Sequence, residues 1–354
     1  MDSSAKLTRR VTLADVAKMA GVSKQTASRV VNDSPNVTDE TRARVKQCIE
    51  ALGFRPSALA RQLNTGRSHT LGIVSNASVG YLVCGEAYVG MLQQTDKMGY
   101  ALLNKLVTDF APDNVTSLMD GLIERQVDGV IWAGPDIGDS HTWMDSYPME
   151  RLPMPMVAIN TRPRPGIDVV GFNNFLGGQN ATRHLIGLGR KRVAHLSGPL
   201  DRWVASERVL GWRKALEEAG LGDCQRLFVE GNWETSGGGE GLRRLLEIDP
   251  KLDAIFVSSD RMALGVLLEA QRMGIRVPED IAIVSIDNDP QSAFFNPPLT
   301  TMTQDTPAMA EAALCLLVRR ICERHGEPYP ALCAEVPNTS FEHQLIVRGS
   351  TVAN

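Results

Sequence analysis

Apolar positions along this chain follow two rhythms. Up to about residue 52 they return every three to four residues, and beyond residue 70 short apolar runs alternate with helical stretches. In VTLADVAKMAGVSKQTASRVVN, residues 11–32, Val16, Ala17 and Ala20 share one face of a first helix that Thr12 caps, with Asp15 as its capping-box partner. Gly21 supplies a turn. Ser23 then caps a second helix that turns Ala27, Val30 and Val31 inward and leaves Lys24, Gln25, Ser28 and Arg29 facing outward. A third helix starts at the N-cap Thr38, carries Asp39 and Glu40 in its first turn, aligns Val45, Ile49 and Leu52 on one face and stops at Gly53. Three helices in this order predict a helix-turn-helix domain. A generic helical bundle, which also needs alanines and valines around a glycine turn, is the competing reading. Residues 55–67, RPSALARQLNTGR, predict about two more turns of helix from Pro56, too short to be stable alone in water.

From Leu71 onward the runs TLGIVS, ALLNKLV, DGVIWAG, MVAIN, DVVGF, RVAHLSG, RLFVEG, DAIFVSS and IAIVSID predict strands, with helices between most of them, among these 86–98 and 113–126. This is an α/β pattern with mostly parallel sheet. Turn-rich stretches at 134–155 and 161–167 interrupt it, the first holding a short helix around His141 to Tyr147. Ligands in open α/β sheets sit beyond the carboxyl ends of strands. Candidate binding groups are therefore Ser75, Asn76, Ala133, Asn160, Phe172, Trp233, Ser259, Asp287 and Asn288. Trp233 stands in the polar segment EGNWETSGGGEG, where no periodicity buries it, whereas Trp212 and Phe256 are read as core and Trp132 and Trp143 fit either role. Asp260, which opens the next helix, is read as an N-cap and not a ligand contact.

At 354 residues with 43% hydrophobic content the chain supports two or three domains. The first 67 residues carry 12 Lys/Arg against 6 Asp/Glu, the remainder 25 against 35. A basic end suits phosphate, and an acidic body confines nucleic-acid binding to that end. Six cysteines, at 48, 84, 224, 315, 322 and 333, have neither zinc-ligand nor disulfide-framework spacing. No apolar run spans a membrane, and MDSSAKLTRR lacks the hydrophobic stretch of a secretory signal, so a cytoplasmic protein is expected. There is no GxSxG elbow, GxxxxGK[ST] loop or HExxH, and the histidines at 69, 141, 184, 195, 325 and 343 are scattered. No enzyme, cofactor or metal is expected. The SGGGEG run at 236–241 lacks the lysine of a phosphate loop and is read as a flexible helix entry.

The headpiece pattern VTLxDVAxxAGVSxxTxSRVVN and the hinge pattern PxxxARxL are both present. Through them the chain resembles the LacI/GalR family of transcriptional repressors from about Val11 to about Thr351. The resemblance implies a helix-turn-helix headpiece at 10–55, a hinge helix and linker at 56–67, and a two-lobed α/β sensor of the type I periplasmic-binding-protein-like fold at 68–350. It implies lobes that exchange strands, one of 68–172 with a return near 304–333, the other of 173–303 with the final piece. It also implies major-groove base contacts from Lys24, Gln25 and Arg29, further operator contacts from Thr12, Ser28 and Asn32, and a minor-groove wedge from Leu63. The chemistry agrees, since Gln pairs with adenine, Arg with guanine, and an apolar wedge unstacks a base step. For Leu63 a core position in a short helix is the competing reading.

In the family the arginine matching Arg208, which precedes GW by three residues, reaches ligand hydroxyls across the cleft. An Arg and an Asp together grip vicinal hydroxyls, and an indole packs on the apolar face of a sugar ring. The expected effector residues are Asn76, Asn160, Phe172, Arg208, Trp233, Ser259 and Asp287. The sensor half is most similar to the member for which the family is named, through LSGPL, the Arg208–Trp212 spacing, the Trp233 segment, SSDRMALG and PPLTTMTQD at 297–305. Three polar contacts depart from that member, whose aspartate is Asn160 here and whose two asparagines are Ser259 and Ala133. The expectation is a dimeric repressor of a pseudo-palindromic operator, controlled by a sugar or glycoside; HQLIVRGSTVAN adds no leucine heptads for a tetramer. The alternatives are a nucleobase- or nucleoside-responsive regulator of corepressor type, and a solute-binding receptor that does not touch DNA.

Overall fold

Thr12 starts the first helix by reciprocal capping: its hydroxyl accepts from Asp15 N–H while its own N–H donates to the Asp15 carboxylate at 2.9 Å. Helices α1 (Leu13–Ala20), α2 (Lys24–Val31) and α3 (Asp39–Leu52) follow. Ser23 accepts from Thr26 N–H, and Thr38 caps α3. Gly21 and Gly53 both end helices in the left-handed region, at φ 65° and 62°. Val16, Ala17, Ala20, Ala27, Val30, Val45 and Cys48 form the core of this unit, with Ile49 and Leu52 packed against it. The structure is a computed structural model and describes residues 11–31, 34, 36–55, 62, 66–76, 86–108, 110–134, 136–137, 143–144 and 152–352. It divides into two compact units, 1–68 and 69–354. The hinge segment lies largely outside the described residues.

The second unit is built on two sheets. β1 (Thr70–Asn76), β2 (Ala101–Val107), β3 (Gly129–Ala133), β4 (Met156–Ile159) and β5 (Asp168–Phe172) form the first, with α4 (Glu86–Lys97) and α5 (Pro112–Glu124) between its early strands. β6 (Val193–Ser197), β7 (Phe228–Glu230), β8 (Ala254–Val257) and β9 (Ala282–Asp287) belong to the second, connected by α7 (Trp203–Glu218), α8 (Thr235–Ile248) and α9 (Asp260–Arg272), with α6 (Asn174–Gly187) leading in. All nine strands coincide with predicted apolar runs. Both sheets are parallel except where β12 (Gln344–Ile346) runs antiparallel to β10 (Thr300–Thr303). With β11 (Ser340–Phe341) at one edge, the strand orders are β11-β5-β4-β3-β1-β2 and β12-β10-β9-β8-β6-β7.

Three strands were not foreseen. β10 reads TTMT, without an apolar run, and β11 (Ser340–Phe341) and β12 are two and three residues long. β11 pairs with β5, so the return into the first lobe runs through α10 (Thr306–His325) to Phe341 rather than ending near 333. Met309, Leu317 and Ile321 of α10 bury β1 and β3 through Leu71, Ile73 and Ile131. The second lobe closes over Phe256, Trp212, Leu196 and Val284. Trp132 and Trp143 are both core, their rings 4.8 Å apart.

The glycine run is a correction to the sequence reading. Residues 236–241 are no flexible entry but lie within α8, where Gly237, Gly238, Gly239 and Gly241 are buried. A Cβ at Gly238 would strike the Met262 carbonyl, and one at Gly265 the Thr235 carbonyl, so the run is what lets α8 and α9 cross in backbone contact. Among the described residues no helix is long and apolar enough to cross a membrane, and no His, Cys, Asp or Glu cluster could hold a metal.

Candidate functional site

In the first unit, α2 buries Ala27 and Val30 and exposes Lys24, Gln25 and Arg29, with Ser28 half-buried beside them. These four side chains form one polar face on the second helix of a helix-turn-helix, the helix that enters the major groove in this motif. Thr12 is exposed at the start of α1, its hydroxyl donating to Asp15 at 2.7 Å. Asn32 and Leu63 lie outside the described residues.

In the second unit, strand ends and helix starts surround a cavity of about 430 Å³ lined by Asn160, Arg208, Trp233, Ser259 and Asp287 among others. That volume lies within the ~300–1,000 Å³ of small-molecule pockets. The chain crosses between the two lobes at 172–174, 303–306 and 341–344, and the first two crossings supply Asn174 and Gln304 to the cavity wall. Arg208 sits on α7, 4% exposed. Its Nε donates to Asn174 Oδ1 at 2.9 Å and its Nη1 to the Ser258 carbonyl at 2.5 Å. Burial lowers its pKa, against the raising influence of the Asp287 and Asp260 carboxylates. α6 and α7 come close enough to set this geometry because Gly178 faces the Arg208 backbone and Gly211 the Phe175 carbonyl. Its Cζ lies 5.8 Å from the Trp233 ring.

Asp287 ends β9 at φ 137°, followed by Asn288 at φ 59°; Asn160 and Trp233 also have positive φ, at 50° and 66°. Non-glycine residues rarely hold such backbone, and here three of them line one cavity. Gln304, at a lobe crossing, donates to Asp287 Oδ1 at 2.8 Å. Burial pushes the Asp287 carboxyl well above the ordinary range, with Arg208 opposing. Asn160 Oδ1 accepts from Phe172 N–H at 3.0 Å, so what it can offer a ligand is its amide donors. A Cβ at Gly198 would fall inside the Trp233 indole.

Two sequence expectations are corrected. Phe172 ends β5 but points into the core, packed on Phe341 and His343 at ring distances of 5.9 and 5.3 Å. Asp260 is not the N-cap, because Ser259 caps α9 by accepting from Met262 N–H at 3.2 Å. Fully buried, Asp260 instead accepts from the Ser285 hydroxyl, from the Thr301 hydroxyl at 2.7 Å and from Asp289 N–H at 2.9 Å. It thereby braces the turn that presents Asp287. The Asn76 side chain lies outside the described residues. Asn174, Arg202 and Gln304 line the cavity without having been singled out. Gln304 stands in the quoted segment PPLTTMTQD, and Asn174 at the start of a helix, which is the only signal either carried.

Residues 12–57 match the family described as bacterial regulatory proteins, lacI family, and residues 182–351 match the periplasmic binding protein-like domain. The chain is 35% identical over 319 residues to the HTH-type transcriptional repressor PurR of Mannheimia succiniciproducens, covering 89% of this chain and 93% of that one. It is 33% identical over 314 residues to the ribose operon repressor of Escherichia coli K12, covering 88% and 93%. Its fold superposes on the lac repressor dimer bound to operator and the anti-inducer ONPF with a TM-score of 0.79, at 26% identity and over 98% of this chain and 100% of that one. It matches the transcriptional regulator CelR–cellobiose complex at 0.66, with 31% identity and 96% and 100% coverage. These relatives are regulators of transcription and not enzymes. The chain belongs to the LacI family, as a transcriptional repressor with a helix-turn-helix DNA-binding domain and a ligand-binding domain.

Proposed function

We propose that this cytoplasmic repressor binds a pseudo-palindromic operator as a dimer and is controlled by a sugar or glycoside in the cleft. The observation that carries the sugar reading is the convergence of the Arg208 guanidinium, the Asp287 carboxylate and the Trp233 indole on one cavity. A guanidinium donates to hydroxyls and a carboxylate accepts from them, while the indole covers the apolar face of a pyranose. Asn160 and Ser259 complete the polar wall. Relatives named for a ribose operon and for a complex with cellobiose support the same chemistry. On the DNA side, Lys24, Gln25 and Arg29 read bases, Thr12, Ser28 and Asn32 add contacts, and Leu63 wedges the minor groove.

Control follows from where the cavity lies. Gln304 holds Asp287 from a lobe crossing, so a ligand that loads Asp287 acts on the connection between the lobes. A ligand with unequal affinity for two lobe arrangements shifts their populations, and operator affinity with them. Support for a dimer comes from α9, which exposes Leu264 and Leu268 one helical turn apart. The test is a gel-shift titration on a palindromic operator with and without a panel of sugars, glycosides and nucleobases, paired with calorimetry. A sugar that both binds and changes operator affinity supports the reading; a nucleobase that does so in its place overturns it.

A further inference from the structure

One charged group of the cleft is not among those assigned to the sugar ring. Arg202, the residue before α7, lines the cavity, yet its guanidinium makes no hydrogen bond among the described residues. Its nearest carboxylate is that of solvent-facing Asp201, 3.6 Å from Nε, and Nε is buried without an acceptor. The other charges of the wall are engaged. Glu234 holds Arg261 through both oxygens at 3.2 Å. Asp136 accepts from Arg162 N–H at 2.9 Å and from Arg164 Nη1 at 3.3 Å. Arg208 is set against Asp287, whose carboxyl is itself pushed toward its neutral form by burial. What remains on this wall, among the described residues, is the positive charge of Arg202, which no hydrogen-bonded acceptor offsets.

The start of α7 adds to it. No side chain caps this 16-residue helix, and Val204 in its first turn lines the same cavity as Arg202. Trp203 N–H is taken by the Asp136 carbonyl, but the positive end of the helix dipole still points to this side. Arg208, almost fully buried on the same helix, has two of its nitrogens committed to Asn174 and Ser258 and its Nη2 uncommitted.

We propose that the effector is an anionic sugar, whose carboxylate or phosphate is seated by Arg202 and the start of α7 while Arg208, Asp287 and Trp233 hold the ring. The proposal rests on the sugar reading and names the class of sugar. A planar guanidinium offers paired donors in the geometry that carboxylate and phosphate oxygens accept. An ion pair inside a concave, partly dry site also separates an acid from its neutral parent more sharply than hydroxyl contacts do.

The experiment uses the full chain and matched probes: neutral hexoses, the corresponding uronates and aldonates, and hexose phosphates, each followed by thermal shift and calorimetry. An acid or phosphate should bind at least tenfold more tightly than its neutral parent, the two arms deciding between carboxylate and phosphate. Arg202→Gln should remove that advantage, weakening the anionic sugar tenfold or more while leaving the neutral parent within about twofold and the ligand-free melting temperature unchanged. A neutral parent that binds as tightly as its acid, or an Arg202→Gln loss equal for both, overturns the anionic class and leaves the sugar reading standing. Nucleobases or nucleosides binding where no sugar of either charge does would overturn the sugar reading itself.

Discussion

The recognition helix and the ligand cleft place polar chemistry under opposite conditions. On α2, an eight-residue helix, Lys24, Gln25 and Arg29 stand exposed, and the fold beneath them rests on Ala27 and Val30. In the cleft, Arg208 is buried beside Asp287 and held by groups from α6 and the end of β8. A side chain can therefore be removed from α2 without leaving a buried group unpaired, whereas removing one from the cleft strands its partner. The largest expected effect follows. Arg208→Ala should weaken effector binding about a hundredfold or more, since hydrogen bonds to charged groups contribute roughly 1.5–3 kcal/mol each. Operator affinity without effector should stay within about twofold. A gel shift showing equal loss of both functions would make Arg208 a structural residue and erase the contrast.

Acid separates the two regions a second way. Burial pulls the His195 and His343 pKa values down to about 3, whereas an unfolded histidine titrates near ~6.5. A group whose folded pKa is depressed stabilises the fold above its unfolded pKa, and that stability drains away as pH falls toward the folded value. Between about pH 6.5 and 5 each histidine should remove up to about 2 kcal/mol from the sensor. Asp287 has the opposite sign, because its raised pKa burdens the native state at neutral pH and relieves it in acid. Asp287→Asn should accordingly remove this opposing pH dependence while weakening the effector. The first 68 residues contain no histidine. Calorimetric scans from pH 7 to 5 should show the sensor transition falling, and a His343→Asn variant with an unchanged slope would remove that residue from the account.

How much was legible in the sequence follows the same division. The headpiece could be read almost residue by residue, since caps, turns and inward positions lie within four residues of one another, as Thr12 with Asp15 and Ser23 with Thr26 do. The apolar strands were legible for a similar reason: buried parallel strands are continuous apolar runs. β10 was not, because it is buried on threonines whose hydroxyls bond the Asp260 carboxylate, the Arg348 carbonyl and the Thr351 hydroxyl, partners that only the fold brings near. In the cleft, Arg208 and Asp287 lie 79 positions apart, and their pairing was expected only by resemblance. Phe172 shows the limit of strand-end reasoning, because a strand's last side chain alternates between cleft and core with a period of two, and a one-residue difference in where the strand stops reverses it.

An intermediate effect is expected on α2. Arg29→Ala should cost specific operator binding about 1–3 kcal/mol if Arg29 reads a guanine, with much less loss on random DNA. Equal losses, together with a salt dependence reduced by about one counterion, would mark a phosphate contact instead. Because Arg29 is exposed, the headpiece melting temperature should not change, which is the complement of the Arg208 result.

The smallest effect tests whether Thr12 is a contact or a cap. Its hydroxyl already donates to Asp15 at 2.7 Å while accepting from Asp15 N–H, so capping alone accounts for its identity. Thr12→Ala should destabilise the headpiece by about 1 kcal/mol, typical of a lost N-cap, and Thr12→Ser should restore most of it because the hydroxyl is kept. Operator affinity decides the rest. If it tracks stability through both variants, Thr12 serves DNA only by fixing the start of α1. Should Thr12→Ser refold fully yet bind operator several-fold more weakly, the methyl group touches the duplex, and the contrast between the regions narrows: even on the exposed side, one residue would be both scaffold and contact.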